Sequence, residues 1–394
     1  MPAKPMPTEP MPTEPASTGL RRHIAALPLV DHHVHASLAS PVTRGQFETL
    51  ITESDRPLPA GVTQFDSQIG FAIRRHCAPL LGLPPHASAD AYWAARSERT
   101  PEELSDLFLA AAGVSDWLLD TGFKSDELLS PDTLAERLPA RFSEIVRLET
   151  VLEGVAPSSS AARLADDFRT ALAGATASAV GLKSIIAYRY GFDFAPARPS
   201  AEEVERAAGA WLRDIAAGAP ARVTDPVLLR MALWTGVDTG LPLQLHAGYG
   251  DPDLDLRRCD PLLLMPWLKE IEGSGTDVVL LHCYPFQRNA GFLAQVFPHV
   301  YFDVGLGVNY TGAASTAVVA ESLELAPFTK VLYSSDAWGP PELHHLGAVL
   351  WRRGMSRALG GWVEEGEWSE ADAVRVATMI GRTNAQRLYG LPDA

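Results

Sequence analysis

The chain predicts an α/β fold, a (β/α)8 barrel with a helical insertion after its first strand and further helices at its C-terminus. Three observations carry this prediction. Eight short apolar runs alternate with stretches of helical spacing, the pattern of a parallel sheet. Eight such units in about 330 residues suit a closed barrel better than a doubly wound sheet. His, Lys and Asp also recur at the ends of these runs, where a parallel barrel gathers its chemistry.

Composition narrows the function. Of 394 residues, 46% are hydrophobic and 21% charged, an ordinary globular balance. A net charge of -15 argues against nucleic acid or an anionic membrane surface as partner. No apolar run approaches the roughly 18 to 20 residues that span a bilayer. Cys77, Cys259 and Cys283 are unevenly spaced and form no CxxC pair, which disfavours a disulfide framework or a cysteine zinc cluster and suggests a reducing cytoplasm. The expected partner is a small-molecule substrate, and the expected assembly a homo-oligomer.

In chain order, residues 1–18 repeat Met-Pro-Thr-Glu-Pro at 6–10 and 11–15, so a disordered proline-rich tail is expected there, with the barrel over 19–394. The first strand runs from Leu27 into Asp31-His32-His33-Val34-His35. Strict alternation would put Asp31, His33 and His35 on one face and Val30, His32 and Val34 on the other. A helical cap over about 45–113 follows, too long for a simple strand-to-helix connection. Its clearest helices are Ala89 to Arg99 and Pro101 to Ala112, the latter with proline at its first position and Glu102 and Glu103 in its first turn. Seven more strands are expected at Val114 to Thr121, Phe142 to Leu152, Val180 to Tyr188, Leu241 to His246, Asp277 to His282, Val300 to Val304 and Lys330 to Ser335. Helices are expected between them and at Pro341 to Arg353. Residues 369–388 carry apolar positions at helical spacing and should pack on the outside of the barrel.

The polar residues fall at strand ends. His33 and His35 end strand one, Lys183 lies in strand four, His246 ends strand five, His282 ends strand six and Asp336 ends strand eight. Each alone has an ordinary explanation, since a strand-end histidine is usually hydrogen-bonded and an Asp after Ser-Ser is a common helix cap. Four histidines, a lysine and an aspartate on five strand ends of one barrel converge on one mouth, and such a cluster is what a catalytic divalent metal requires. Arg189 and Arg257, close to the ends of strands four and five, could clamp a substrate carboxylate. Either could instead pair with Asp193 or Asp255 at the surface. Tyr249, in the Gly248-Tyr249-Gly250 loop beside His246, is a candidate substrate contact. Asp120 and Glu149 are lesser candidates for the mouth.

His33-x-His35, His246, His282 and Asp336, in this order, resemble the amidohydrolase superfamily, over roughly residues 28–355. Three longer strings are more specific: Lys183-Ser-Ile-Ile-Ala-Tyr-Arg189, His246-Ala-Gly-Tyr-Gly-Asp-Pro-Asp-Leu-Asp-Leu-Arg257 and His282-Cys-Tyr-Pro-Phe. They are similar to the amidohydrolase domain of FluG-type proteins, where that domain is fused to a glutamine synthetase-like one. The resemblance implies one or two divalent metals, Zn2+ before Mn2+, held by His33, His35, Lys183, His246, His282 and Asp336. It implies that Lys183 is carboxylated and bridges two metals, the alternative being an ammonium that binds substrate. Asp336 would act as base and then acid, and His282 would polarise the substrate carbonyl if it is not a ligand. The implied activity is hydrolysis of an amide C–N bond in a small carboxylated substrate, such as a γ-glutamyl amide. Metal-dependent decarboxylation and sugar-acid isomerisation are the other chemistries carried by related barrels.

Overall fold

The computed structural model describes residues 17–393. Of the expected tail, residues 1–16 lie outside the described residues, and Thr18 already opens helix α1 (Thr18–Ala26). Seven strands follow: β1 (Leu29–Val34), β2 (Val114–Asp120), β3 (Arg141–Arg147), β4 (Gly181–Ser184), β5 (Leu243–Ala247), β6 (Val278–His282) and β7 (Val300–Phe302). They form one parallel sheet in sequential order, β1 through β7. Runs such as Val278-Val-Leu-Leu are buried throughout, as strands covered on both faces must be.

The eighth expected strand, Lys330 to Ser335, is not a regular ladder. It makes one parallel bridge, Val331 to Phe302. Its backbone is nonetheless bonded on both sides. Leu332 N donates to Phe302 O (3.0 Å) at one edge of the sheet, while His32 N donates to Tyr333 O (3.3 Å) and His35 N to Ala337 O (2.8 Å) at the other. Regular pairing is interrupted because the Asp31 carboxylate takes the Ser335 N–H (3.0 Å) and Asp336 adopts a left-handed φ of 49°.

Three further expectations are corrected. The third and fourth strands are shorter than the apolar runs suggested. β3 stops at Arg147, and Leu148–Val155 is helical, burying Leu148 and Leu152 at a spacing of four. β4 stops at Ser184, because Glu149 accepts from Ser184 Oγ (2.6 Å) and Ile185 N (3.0 Å) and turns the chain into a short helix, Ile186–Arg189.

Alternation also fails in β1. Three steps along β1, Asp31 to Val34, face two along β2, Trp117 to Leu119, so β1 carries one extra residue. Such a bulge re-aims the side chains that follow it. Val30 joins a cluster on the concave side of the curled sheet with Leu118, Ile145, Val279, Leu281 and Leu332, whereas Leu29 and Val34 join the layer between sheet and helices. His32 points into the interior below the mouth, and His33 and His35 into the mouth itself.

The C-terminal segment is the third correction. It forms Glu370–Thr378, a wide turn at Met379–Thr383, and Asn384–Tyr389. Ala385 and Tyr389 do not lie outside; they belong to the interior cluster and close its floor. Gly381 permits the approach, since a Cβ there would come within 2.8 to 2.9 Å of Leu27, Leu29 and Trp351 side chains.

Between β1 and β2 the chain is mostly helical, with Arg44–Leu50, Gln68–Ala72, Ala89–Ser97 and Pro101–Ala112. Thr43 and Thr100 each form a reciprocal capping box at the start of their helices. A buried Arg96–Glu342 ion pair (2.6 Å), joined by Tyr92 OH (2.9 Å), ties this insertion to the long helix Pro341–Glu364. Among the described residues no helix is long and apolar enough to cross a membrane.

Candidate active site

The strands deliver their polar ends to one cavity of roughly 320 Å³, lined by His35, Lys183, His246, His282 and Asp336 among others. His33 lies directly behind, fully buried. One donor atom from each of His33, His35 and Asp336 can be chosen so that all three lie within 4.8 Å of one another. His33 Nε2 is 3.1 Å and His35 Nε2 3.9 Å from Asp336 Oδ1, and His282 Nδ1 is 3.3 Å from Asp336 Oδ2. The His246 ring stands 4.6 Å from that of His282. Lys183 Nζ sits 3.2 Å from His33 Nε2.

His33 of β1 and His35 just beyond it are oriented through their other nitrogen. His33 Nδ1 donates to Gln244 Oε1 (2.8 Å) and His35 Nδ1 to the Asp120 carbonyl (2.9 Å), which leaves each Nε2 lone pair facing the cluster. His246 Nε2 and both ring nitrogens of His282 are buried without a hydrogen-bond partner. Unpaired buried polar atoms are rare and costly, so three of them together suit a missing electron-pair acceptor.

The backbone is strained at the same place. His282, Cys283 and Asp336 have left-handed φ values of 68°, 52° and 49°. Each such conformation costs of order 1–3 kcal/mol and persists only where surrounding structure enforces it. Here Asp303 Oδ1 accepts from His282 N (2.9 Å), and Asp336 N donates to His33 O (3.2 Å).

Burial sets the charge states. It pushes His33, His246 and His282 far below the usual imidazole range, with nearby Lys183 acting in the same direction, and takes His35 down to about 4. It brings Lys183 down to about 8, against the pull of Asp120 and Asp336, and holds the Asp336 carboxyl well above the ordinary carboxylate range. Neutral imidazoles with inward lone pairs, beside a carboxyl poor in other partners, fit a divalent cation by the chemistry of the donor set.

Other expected residues are distributed unevenly. Arg189 lines the cavity, paired with Glu153 (3.1 Å), and its Nε and Nη1 are buried without a partner. Arg257 is not brought to the cavity; its side chain is 89% exposed and pairs with Asp255. Tyr249 is also outside the lining, packed edge-on against Tyr284 and Tyr310. Its neighbour Gly250 matters sterically, because a Cβ there would strike the Tyr188 hydroxyl and come within 3.0 Å of His246 Nε2. Asp120 binds Arg147 (2.6 Å), which keeps its carboxylate at about 2 in spite of burial, and Glu149 fastens the β4 turn.

Sequence reasoning missed four cavity residues of consequence. Arg147 was hidden because strand three was expected to continue to Leu152, which misplaced its end. Tyr188, whose ring lies 4.4 Å from His246, was assigned to a strand that has already turned into a helix. Trp338 follows Asp336 by two residues and was overlooked. Glu53 enters from the insertion, and nothing local in the sequence marks it.

The amidohydrolase family model matches residues 166–391. The chain is 28% identical over 420 residues to protein fluG of Emericella nidulans, covering 95% of this chain and 47% of that protein, so it spans about half of its relative's length. The crystal structure of a candidate metal-dependent hydrolase from Lactobacillus casei ATCC 334 superposes with a TM-score of 0.78 at 29% identity, covering 94% of this chain and 97% of that one. A uronate isomerase from Bacillus halodurans shares the fold alone, with a TM-score of 0.65 at 15% identity and 96% of each chain covered. The family model matches more than half of the chain, whose His, Lys and Asp residues cluster at strand ends: this chain belongs to the amidohydrolase family.

Proposed function

We propose that the protein is a metal-dependent hydrolase that cleaves the C–N bond of a small carboxylated amide, a γ-glutamyl amide being the first candidate. The observation that carries this reading is the meeting of His33, His35 and Asp336 within one ion's reach, beside the unpartnered nitrogens of His246 and His282. Segment 331–337 is read as the eighth stave of the barrel, which aims Asp336 at the histidines of β1. A divalent cation, Zn2+ first and Mn2+ second, would supply a water acidic enough to ionise near neutral pH and a Lewis acid for the carbonyl. Lys183, brought by burial to about 8, has a neutral fraction able to take up carbon dioxide as a carbamate and add an anionic ligand beside His33.

The chain's own residues do the rest. Asp336 accepts the proton of the attacking water and returns it to the leaving amine, acting as base and then acid. His246 and His282, kept neutral by burial, would offer their unpartnered ring nitrogens to the same cation. Arg189, with Nη2 held by Glu153, keeps Nε and Nη1 unpartnered, so its guanidinium can offer a charge-assisted hydrogen bond to a substrate carboxylate. Phe123 and Trp338, edge to face with ring centroids 5.2 Å apart, give the cavity an aromatic wall.

The test is an assay of the metal-loaded protein against matched amides with and without a carboxylate. Hydrolysis favouring the carboxylated series is expected. Release of carbon dioxide from acids, or aldose–ketose interconversion of sugar acids, in place of amide cleavage would overturn the proposal.

A further inference from the structure

A chain of hydrogen bonds joins the C-terminal helix to the candidate metal cluster. Tyr389 OH lies 2.9 Å from Gln244 Nε2 and 3.1 Å from His32 Nδ1. Gln244 Oε1 is 2.8 Å from His33 Nδ1, and Gln244 Nε2 also reaches the His32 carbonyl at 2.8 Å. At the other end His32 Nε2 is 3.0 Å from Asp303 Oδ2, and Asp303 Oδ1 accepts from the backbone N–H of His282 (2.9 Å) and Gly305 (2.7 Å). His32, His33, Gln244 and Asp303 are all fully buried.

The partners fix the directions at Gln244, His33 and Asp303. Gln244 Nε2 faces two oxygens and donates to both, so its Oε1 must accept from His33 Nδ1–H. The Tyr389 oxygen accepts from Gln244, and its hydroxyl pairs with His32 Nδ1. His32 is protonated at Nε2, which donates to the Asp303 carboxylate. One consistent result follows: His33 carries its proton on Nδ1 and presents Nε2 as a lone pair to the cluster.

We infer that the Tyr389 hydroxyl is a positioning group for metal binding, fixing the tautomer and aim of His33 through Gln244. The inference rests on the reading of the cluster as a metal site. It assigns to the extreme C-terminal helix a part in the chemistry at the opposite end of the interior. His32, which points away from the cluster, becomes the middle of the relay that orders it. The ring of Tyr389, stacked on His32 at 5.9 Å, packs the floor, and the hydroxyl does the aligning.

The experiment compares Zn2+ affinity of the parent and Tyr389→Phe by competition with a chromogenic chelator, together with the thermal midpoint of each metal-free protein. Tyr389→Phe keeps the ring but leaves His32 Nδ1 unpaired, so the metal-free midpoint should fall by no more than a few degrees while affinity falls about 10- to 100-fold, the range for partners that orient a ligand. Equal affinities would overturn the inference, as would a lowered midpoint with unchanged affinity, which marks a purely structural hydroxyl. Should the variant not fold, Asp303→Asn tests the same relay from its other end. The backbone N–H groups hold the amide oxygen, its NH2 faces His32, and the reversed polarity delivers a second donor to Tyr389. The same loss of affinity is expected, and unchanged affinity would overturn the inference. Failure of the parent itself to bind Zn2+ or Mn2+ would instead reject the metal-site reading.

Discussion

On the concave side of the curled sheet, the floor and the mouth are built on opposite terms. The floor is Val30, Leu118, Ile145, Val279, Leu281 and Leu332, sealed by Ala385 and Tyr389, and the Tyr389 hydroxyl has both a donor and an acceptor partner. The mouth holds four histidines, a lysine and an aspartate, three ring nitrogens without partners, and two of these residues in left-handed backbone. A buried polar atom left unpaired costs about 1–3 kcal/mol, and each strained residue a similar amount. The floor therefore pulls the chain together while the mouth resists it, and a bound ion, as proposed, would make the mouth's arrangement favourable. The same strands serve both ends, which explains why site residues follow directly on apolar runs.

The largest effect should come from the mouth. Asp336→Asn keeps the size and one possible ligand oxygen but loses the base, so kcat should fall by at least about 10²-fold while the metal stays bound. A helix cap alone would predict near-normal turnover, because Asn caps about as well. Steady-state rates on a metal-loaded, folded variant distinguish the two.

Leu281→Ala sharpens the comparison from below. Truncating a buried leucine of the floor should cost about 2–5 kcal/mol in chemical denaturation and leave metal affinity nearly intact. Loss of both together would mean the two ends do not separate as described.

A smaller effect lies at the margin of the mouth. Asp120 is depressed to about 2 by its pairing with Arg147, from an ordinary value near 3.8. A depressed carboxylate stabilises the fold above its unfolded pKa and loses that contribution as pH falls through the folded one. On the order of 2 kcal/mol should therefore disappear between about pH 4 and 2, and the stability gap between parent and Asp120→Asn should narrow over that window. A gap independent of pH would exclude the pair as its source.

Smallest, Arg189→Met should raise KM for a carboxylated amide by about tenfold with kcat little changed, as expected when binding is lost uniformly. An equal change for the uncharged amide would remove the carboxylate clamp.

The sequence was most legible at the mouth. His33, His35, Lys183, His246, His282 and Asp336 each follow or interrupt an apolar run, and the structure brings these six side chains together as strand ends of one parallel sheet should. Sequence reasoning failed where placement depends on distant backbone. The extra residue in β1 leaves no trace in composition, so the faces of Asp31 and His33 were misread. Arg147 was lost because Leu148 and Leu152 serve a helix or a strand equally well. Arg257 looked like Arg189, but one faces solvent and the other the cavity, a distinction set by the turn after β4 and by the loop after β5. Tyr389 gave no signal, since only the folded floor brings residue 389 to residue 32.

The most direct test of the central claim is a metal count. The parent and the His33→Ala/His35→Ala double variant would be purified side by side, loaded with Zn2+, passed over a desalting column and analysed for metal by elemental analysis. One or two equivalents in the parent and essentially none in the variant, with the variant still folded, is the predicted result. Full occupancy in the double variant would contradict the assignment of the mouth as the metal site.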